Sequence, residues 1–240
     1  MNKISKKLSE KRVTSASEKG DVVEHSPYCP RWTRRKEARP DEIMDAALDL
    51  FIEKGFAATR LDDVAKKAGV SKGTLYLYFS DKEDLFRKVV ENGMVPQVKN
   101  LEDVIKAHTG SIDELVVKVV KGLTTLVTTT KMGAMPKLMI SEIGNFPKLG
   151  EFYRDEVILR LHRTVGTIIE MGIARGEFRE VPVLEAARDL LAPIFMMAIA
   201  SNMPGFSEHL LIDADAQAEV TIDLWLRGIR KSNLAEEPLS

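Results

Sequence analysis

Three helix starts and one sharp turn crowd into residues 59–86. Thr59 has the side chain to cap the amides that open a helix, and Asp62 stands where the reciprocal partner of a capping box belongs. Leu61, Val64, Ala65 and Ala68 then recur at the spacing of one buried helical face. Gly69 ends that helix, because a glycine just past the last periodic residue takes the left-handed conformation that turns the chain. Ser71 offers a second cap, for a short helix running to about Phe79, and Ser80-Asp81-Lys82-Glu83 begins a third. The stretch is a helix-turn-helix with the next helix already begun.

Leu75 and Phe79, four positions apart, suffice to hold the second helix down, which leaves Ser71, Lys72, Thr74, Tyr76 and Tyr78 outside. Hydroxyls, amines and helix N-termini are what phosphate oxygens accept from, and Gly73 removes a side chain where a DNA backbone would come close. A solvated polar face on a small helical core is the plain alternative, yet two exposed tyrosines on one short helix are a costly decoration for it. Arg39 ahead of the unit, Thr59 and Arg60 at the mouth of its first helix, and Lys82 at the start of the third complete the set of candidate DNA contacts. Lys82 is expected to act on phosphate as a charge and so to set part of the salt dependence of binding.

Residues 39–56 supply the helix that precedes this unit. Pro40 suits a first turn, Asp41 and Glu42 complement its positive end, Ile43, Ala46, Ala47, Leu50 and Phe51 form an apolar stripe, and Gly55 ends it. From Ile43 the run continues through Ala47-Leu48-Asp49-Leu50-Phe51, Glu53-Lys54-Gly55-Phe56, Val64-Ala65 and Ala68-Gly69-Val70-Ser71. It goes on through Gly73-Thr74-Leu75-Tyr76, Tyr78-Phe79, Lys82-Glu83 and Leu85-Phe86. It closely resembles the DNA-binding domain of the TetR (tetracycline-repressor-like) family of bacterial transcriptional regulators, in register and without a gap, over about residues 37–97. The resemblance implies an all-α homodimer in which a small N-terminal domain binds operator DNA and a larger C-terminal domain binds an inducer and dimerises.

Composition agrees. A chain of 240 residues, 44% hydrophobic and 30% charged, can bury a sizeable core. The single cysteine, Cys29, excludes a disulfide framework within the chain and suits a reducing cytoplasm; we read it as incidental. The net charge of −1 hides an asymmetry, since residues 1–40 hold eleven Lys or Arg against five Asp or Glu. Residues 1–36 are expected to be a disordered basic arm, with Arg31, Arg34 and Arg35 near phosphates or in the minor groove; an extended start without a role is the alternative. No apolar run follows the first lysines, and Glu10, Glu18, Asp21 and Glu24 are out of place in a transit peptide.

The helix-turn-helix proper is placed at 60–79 within a domain at 37–97, followed by a C-terminal domain at 98–232 and a disordered tail at 233–240. Pro96 kinks or ends the helix begun at Asp81. Ser111 and Glu114 box the start of a helix whose threonines, Thr124, Thr125, Thr128, Thr129 and Thr130, are weak helix formers held by packing or turned toward a cavity. Two short helical stretches break around Gly144 to Pro147, in a segment loosely similar to the C-terminal domain of efflux-pump repressors of that family. A long helix is expected from Pro147 to about Arg175. Residues 190–200 are apolar on every face, too short to cross a bilayer, and are expected to be buried all round. With the final helix, at about Ala214 to Arg230, they are assigned to a four-helix dimer bundle through Leu191, Phe195, Ile199, Trp225 and Ile229, an intramolecular core being the alternative.

Ten methionines suggest an adaptable apolar pocket, with Met132, Met135, Met139, Met171, Met196 and Met197 as candidate lining, although for any one of them ordinary core is the commoner role. His25, His108, His162 and His209 lack metal-ligand spacing, and no nucleophile motif or phosphate loop emerges, so neither catalytic residues, metal nor cofactor is expected. The resulting expectation is a dimeric repressor released from a palindromic operator by a small apolar or amphipathic inducer, without membrane attachment. A ligand-independent nucleoid-type protein, or a small-molecule-binding module with vestigial DNA binding, remains open at this point.

Overall fold

The computed structural model describes residues 40–203 and 213–231. The arm at 1–36, with Cys29, Arg31, Arg34 and Arg35, together with Arg39, His209 and the tail at 233–240, lies outside the described residues. Among the described residues every regular element is helical, and the one extended pairing is an isolated bridge between Phe178 and Arg230.

The first four helices are α1 (Pro40–Ala58), α2 (Leu61–Lys67), α3 (Lys72–Tyr78) and α4 (Lys82–Gly93). Ser71 caps α3 by accepting from the Thr74 amide at 3.1 Å, and Asp81 caps α4 by accepting from the Asp84 amide at 2.8 Å. Gly69, at φ 70°, makes the turn between α2 and α3. The capping box expected at Thr59 and Asp62 does not form: α2 opens on Arg60 without a side-chain cap. Gly55, at φ 81° and ψ 164°, breaks α1, and the Thr59 hydroxyl turns back to donate to the carbonyls of Gly55 (2.7 Å) and Leu50 (3.2 Å). Thr59 is 2% exposed.

The chain continues as α5 (Val95–Lys106), α6 (Ile112–Thr129), a 3-10 turn (Lys131–Ala134), α7 (Met135–Glu142) and α8 (Pro147–Tyr153). It then passes through a π turn (Arg154–Ile158) into α9 (Leu159–Ala174), α10 (Val183–Ser201) and α11 (Ala214–Ile229). Pro96 falls in the first turn of α5, so the connector is two helices rather than one. The long helix expected from Pro147 is interrupted by the π turn, where the Leu159 amide reaches the Arg154 carbonyl. Of the α6 threonines, Thr124 is buried with its hydroxyl unpartnered among the described residues, and the other four bond within the helix. Thr125, Thr128, Thr129 and Thr130 each donate to the carbonyl four residues back, at 2.7–2.9 Å, which satisfies their hydroxyls within the helix.

Two apolar cores result. One joins α1–α4 to α7, α8 and the π turn, with Phe51, Phe56 and Phe86 meeting edge to face or tilted against Leu138, Met139 and Leu149. The other joins α5, α6, α9, α10 and α11 around Val116, Ile168, Leu190 and Ile222. The first core therefore crosses the boundary drawn at residue 97, and α7 and α8 pack as part of the helix-turn-helix domain's own floor. α10 is not buried all round, since Ala192, Phe195 and Met196 are exposed.

Candidate DNA-binding face and ligand cavity

α3 is held by Leu75, which is fully buried, and by Phe79 just past its end. At 100° per residue those anchors turn the rest of the helix outward. Tyr76 is 47% exposed and Tyr78 40%, with Ser71, Lys72 and Gly73 exposed and Thr74 half-buried beside them. Leu77, absent from the sequence-derived set, is 81% exposed, the signal for it being its place between two outward tyrosines. A Cβ at Gly73 would meet only the Ser71 hydroxyl, at 3.8 Å, so packing within the chain does not require glycine there.

The cations differ sharply. Lys72 Nζ lies 2.7 Å from Asp62 Oδ1 on an open surface and 6.0 Å from the Tyr76 ring, and its bond to Asp62 raises its pKa. Arg60 is exposed at the start of α2. Lys82, expected at the phosphates, points the other way. Its ammonium donates to the carbonyls of Phe56 (2.7 Å), Ala57 (3.0 Å) and Thr59 (3.0 Å) and sits 4.6 Å from the Phe56 ring centre. Burial lowers its pKa while Glu142 opposes that shift. With its three protons engaged on carbonyls, Lys82 has none left for a phosphate, and the buried Thr59 hydroxyl is likewise occupied.

An apolar cavity of about 360 Å³ opens in the C-terminal part of the chain. Met94, Gln97 and Val98 close one side, Leu123, Leu126 and Val127 of α6 another, and Val157, Ile158, Leu161 and His162 a third. Pro136, Tyr153, Leu191 and Phe195 complete it, with Arg188 at its edge. His162 Nδ1 lies 2.7 Å from the Ile158 carbonyl, which can only accept, so Nδ1 is the donor there. Burial raises the pKa of Tyr153, which keeps its hydroxyl protonated. A second hollow shares Pro136, Tyr153, Ile158 and Phe195 and adds Met139, Ile140 and Ile143.

The candidate methionines do not line the main cavity. Met135 and Met139 are buried in the first core, Met197 in the second, and Met171 packs on the second. Met132 packs on the first core with its sulfur beside Gly93, and Met196 is exposed; only Met139 reaches the second hollow. The lining residue is Met94, at the break between α4 and α5. The residues assigned to the dimer bundle divide. Leu191 and Ile229 are buried within the chain, Ile199 and Trp225 are half-buried, and Phe195 is exposed. Trp225 Nε1 donates to the Ala186 carbonyl at 3.1 Å and its ring meets Phe178 edge to face. The apolar side chains that face outward are Leu184, Phe195 and Met196 on α10 and Val220 and Leu224 on α11. Among the described residues no helix is long and apolar enough to cross a membrane.

A hydroxyl-rich helix presented by a helix-turn-helix, on a chain whose other helices enclose an apolar cavity, defines a helix-turn-helix transcriptional regulator. Residues 43–89 match the family described as "Bacterial regulatory proteins, tetR family", and residues 107–214 match "Tetracyclin repressor-like, C-terminal domain". The HTH-type transcriptional regulator YdeS of Bacillus subtilis is 32% identical over 167 residues, covering 67% of this chain and 78% of that one. The fatty acid metabolism regulator protein of the same organism is 26% identical over 160 residues, 65% of this chain and 80% of that one. The chain belongs to the tetR family of bacterial regulatory proteins. The fold is shared with Bacillus subtilis FadR in complex with stearoyl-CoA, at TM-score 0.63 and 22% identity over 79% of this chain and 99% of that one. It is shared also with the SmeT–triclosan complex, at TM-score 0.68 and 21% identity over 81% and 92%. Regulators of this family bind operator DNA and small molecules and form dimers.

Proposed function

We propose that this chain is a dimeric repressor that reads a palindromic operator with α3 and is released by a small apolar or amphipathic molecule held in the cavity. It acts in the bacterial cytoplasm and carries out no reaction. The observation that carries the DNA reading is the outer face of α3. Tyr76, Leu77 and Tyr78 stand exposed with Lys72, and Gly73 is a glycine that the chain's own packing does not need. Tyrosine hydroxyls and the ammonium donate to phosphate, and an apolar Leu77 suits contact with a thymine methyl. Nothing favours the nucleoid or vestigial readings over this one.

For the ligand, an apolar lining with few polar groups, Gln97, His162 and Arg188, fits a molecule with an apolar body and one polar end. Release follows from differential affinity: a ligand that prefers a conformer with mis-spaced recognition helices draws the population away from DNA. Operator titration tests the DNA half. Tyr76→Phe and Tyr78→Phe should each weaken binding by about 1 kcal/mol, the scale of one hydrogen bond, with little change of sequence preference. Unchanged affinity in both would remove the phosphate role. Stearoyl-CoA and triclosan, the molecules held by the two structural neighbours, probe the cavity by their effect on the DNA complex.

A further inference from the structure

Beyond the break at Gly55, the last residues of α1 turn into Thr59, whose amide donates to the Phe56 carbonyl at 3.3 Å, and this 56–59 turn leads into α2, so its position sets where α2 and α3 stand. Two groups of opposite charge grip it. From α4, Lys82 takes the carbonyls of Phe56, Ala57 and Thr59. From α7, Glu142 takes the amides: its Oε1 accepts from Phe56 N at 3.0 Å and, at the limit of bonding, from Ala57 N at 3.5 Å. Gly55 makes room for this. Its φ of 81° suits glycine, and a Cβ there would lie 2.7 Å from Glu142 Oε1.

Glu142 is only 9% exposed, and its second oxygen is buried without a partner among the described residues. Packing alone would be served better by an apolar side chain, because a half-satisfied buried carboxylate is destabilising. What the carboxylate adds is a directional bond between two parts of the chain that lasts only while α7 keeps its place. Phe146, just after α7, backs it by meeting the Phe56 ring edge to face at 4.7 Å. α7 is also a wall of the hollows: Pro136 lines both, and Met139 and Ile140, with Ile143 just past the helix end, line the second. Pro136 and Glu142 are on one short helix, separated by about 9 Å of helical rise. A displacement at one end is carried to the other.

We propose that Glu142 is the positioning residue through which the cavity acts on the helix-turn-helix. A ligand that displaces α7 withdraws the carboxylate from the Phe56 and Ala57 amides and releases the 56–59 turn, so that α2 and α3 lose their fixed orientation. This rests on reading α3 as the DNA-contacting helix and the cavity as the ligand site.

Amide hydrogen exchange on the full chain, without DNA or ligand, tests it in E142A and E142Q. E142A should speed exchange about tenfold at Phe56 and Ala57 and measurably along α2 and α3, with α9–α11 unchanged. E142Q keeps an oxygen acceptor and should restore protection. Should E142A not fold, E142D, whose carboxylate is one methylene too short for the Phe56 amide, carries the same comparison. Unchanged exchange over residues 56–78, a loss spread evenly over the molecule, or an E142Q as unprotected as E142A each overturns the proposal. On a DNA fragment bound by the wild-type chain, E142A should bind about fivefold more weakly or worse, and equal affinity also overturns it. If the wild-type chain binds no DNA, the reading of α3 falls, while the exchange result still decides the role of Glu142.

Discussion

Lys72 and Lys82 are the same residue type ten positions apart, and they do different work. Lys72 stands in solvent with Asp62 as an exposed partner that a phosphate can replace. Lys82 spends its three protons on the carbonyls that leave α1. Replacing Lys72 with Ala should lower the salt slope of DNA binding by about one while leaving folding within about 0.5 kcal/mol. Lys82→Ala should do the reverse. Three carbonyls lose a charged donor, so a destabilisation of about 2 kcal/mol is expected, a fall in Tm of roughly 4–8 °C for a chain of this size, with the salt slope unchanged. Melting curves and salt titrations on both variants check this; a lowered slope in Lys82→Ala would return that residue to the phosphates. Ser71, Leu75 and Phe79 could be assigned from sequence because cap and anchor lie within a few positions of what they hold. Lys82 could not, because its acceptors lie on a turn 23–26 positions earlier.

Among the elements, α1 reaches two neighbours at once through the Asp49 carboxylate, with Asp45 Oδ1 also 2.9 Å from Lys131 Nζ. Asp49 Oδ1 lies 2.6 Å from Lys131 Nζ, in the 3-10 turn, and Oδ2 lies 3.1 Å from Lys67 Nζ, in α2. The Lys131 hydrogen bond holds the Asp49 carboxyl below its ordinary range, against an opposing effect of burial and with help from Lys67. A depressed folded-state pKa gives stability that is present above the unfolded value of about 4 and is lost as pH falls through the folded value. Asp49→Asn should therefore lower stability at pH 7 by at most about 1 kcal/mol, since the lysines are half exposed, and the difference from wild type should vanish once acid has protonated the folded-state carboxylate, below the ordinary aspartate range. Equal stability of the two proteins at pH 7, or a difference that persists in acid, would show that this triad does not hold α1 to the turn.

At the scale of the molecule, the outward apolar residues of α10 and α11 form the proposed dimer face. Leu224 is exposed in the single chain, so Leu224→Glu leaves the fold intact. If the face is covered by a second copy, the variant buries a charge there and should weaken the dimer by about 3 kcal/mol or more. Sedimentation should then find a folded monomer that binds DNA weakly and without preference for a palindrome. A folded Leu224→Glu dimer moves the interface elsewhere. Trp225→Glu is a different experiment, since that ring packs on Phe178 and bonds Ala186, and it should show mainly as lost folding stability.

What the sequence by itself determined is local: Ser71 and Ser111 as caps, Gly55 and Gly69 as breaks, apolar stripes at helical spacing, and the order of helices around a helix-turn-helix. Each of these is decided by groups within about one helical turn of one another, where residue type and spacing govern hydrogen bonding unless a competing acceptor takes the group, as the carbonyls of Leu50 and Gly55 take the Thr59 hydroxyl. Tertiary structure alone decided the partners of Thr59 and Lys82, the burial of Met135, Met139 and Met197, and which side of α10 is bare. It also made one core out of α1–α4 with α7 and α8. An acidic residue near the end of a short helix carries no mark of its target, and Glu142 acquired one because packing brought it to an amide 86 positions away. Contacts at that distance are chosen by the burial of whole helix faces, a property of the folded chain and of no single stretch of it.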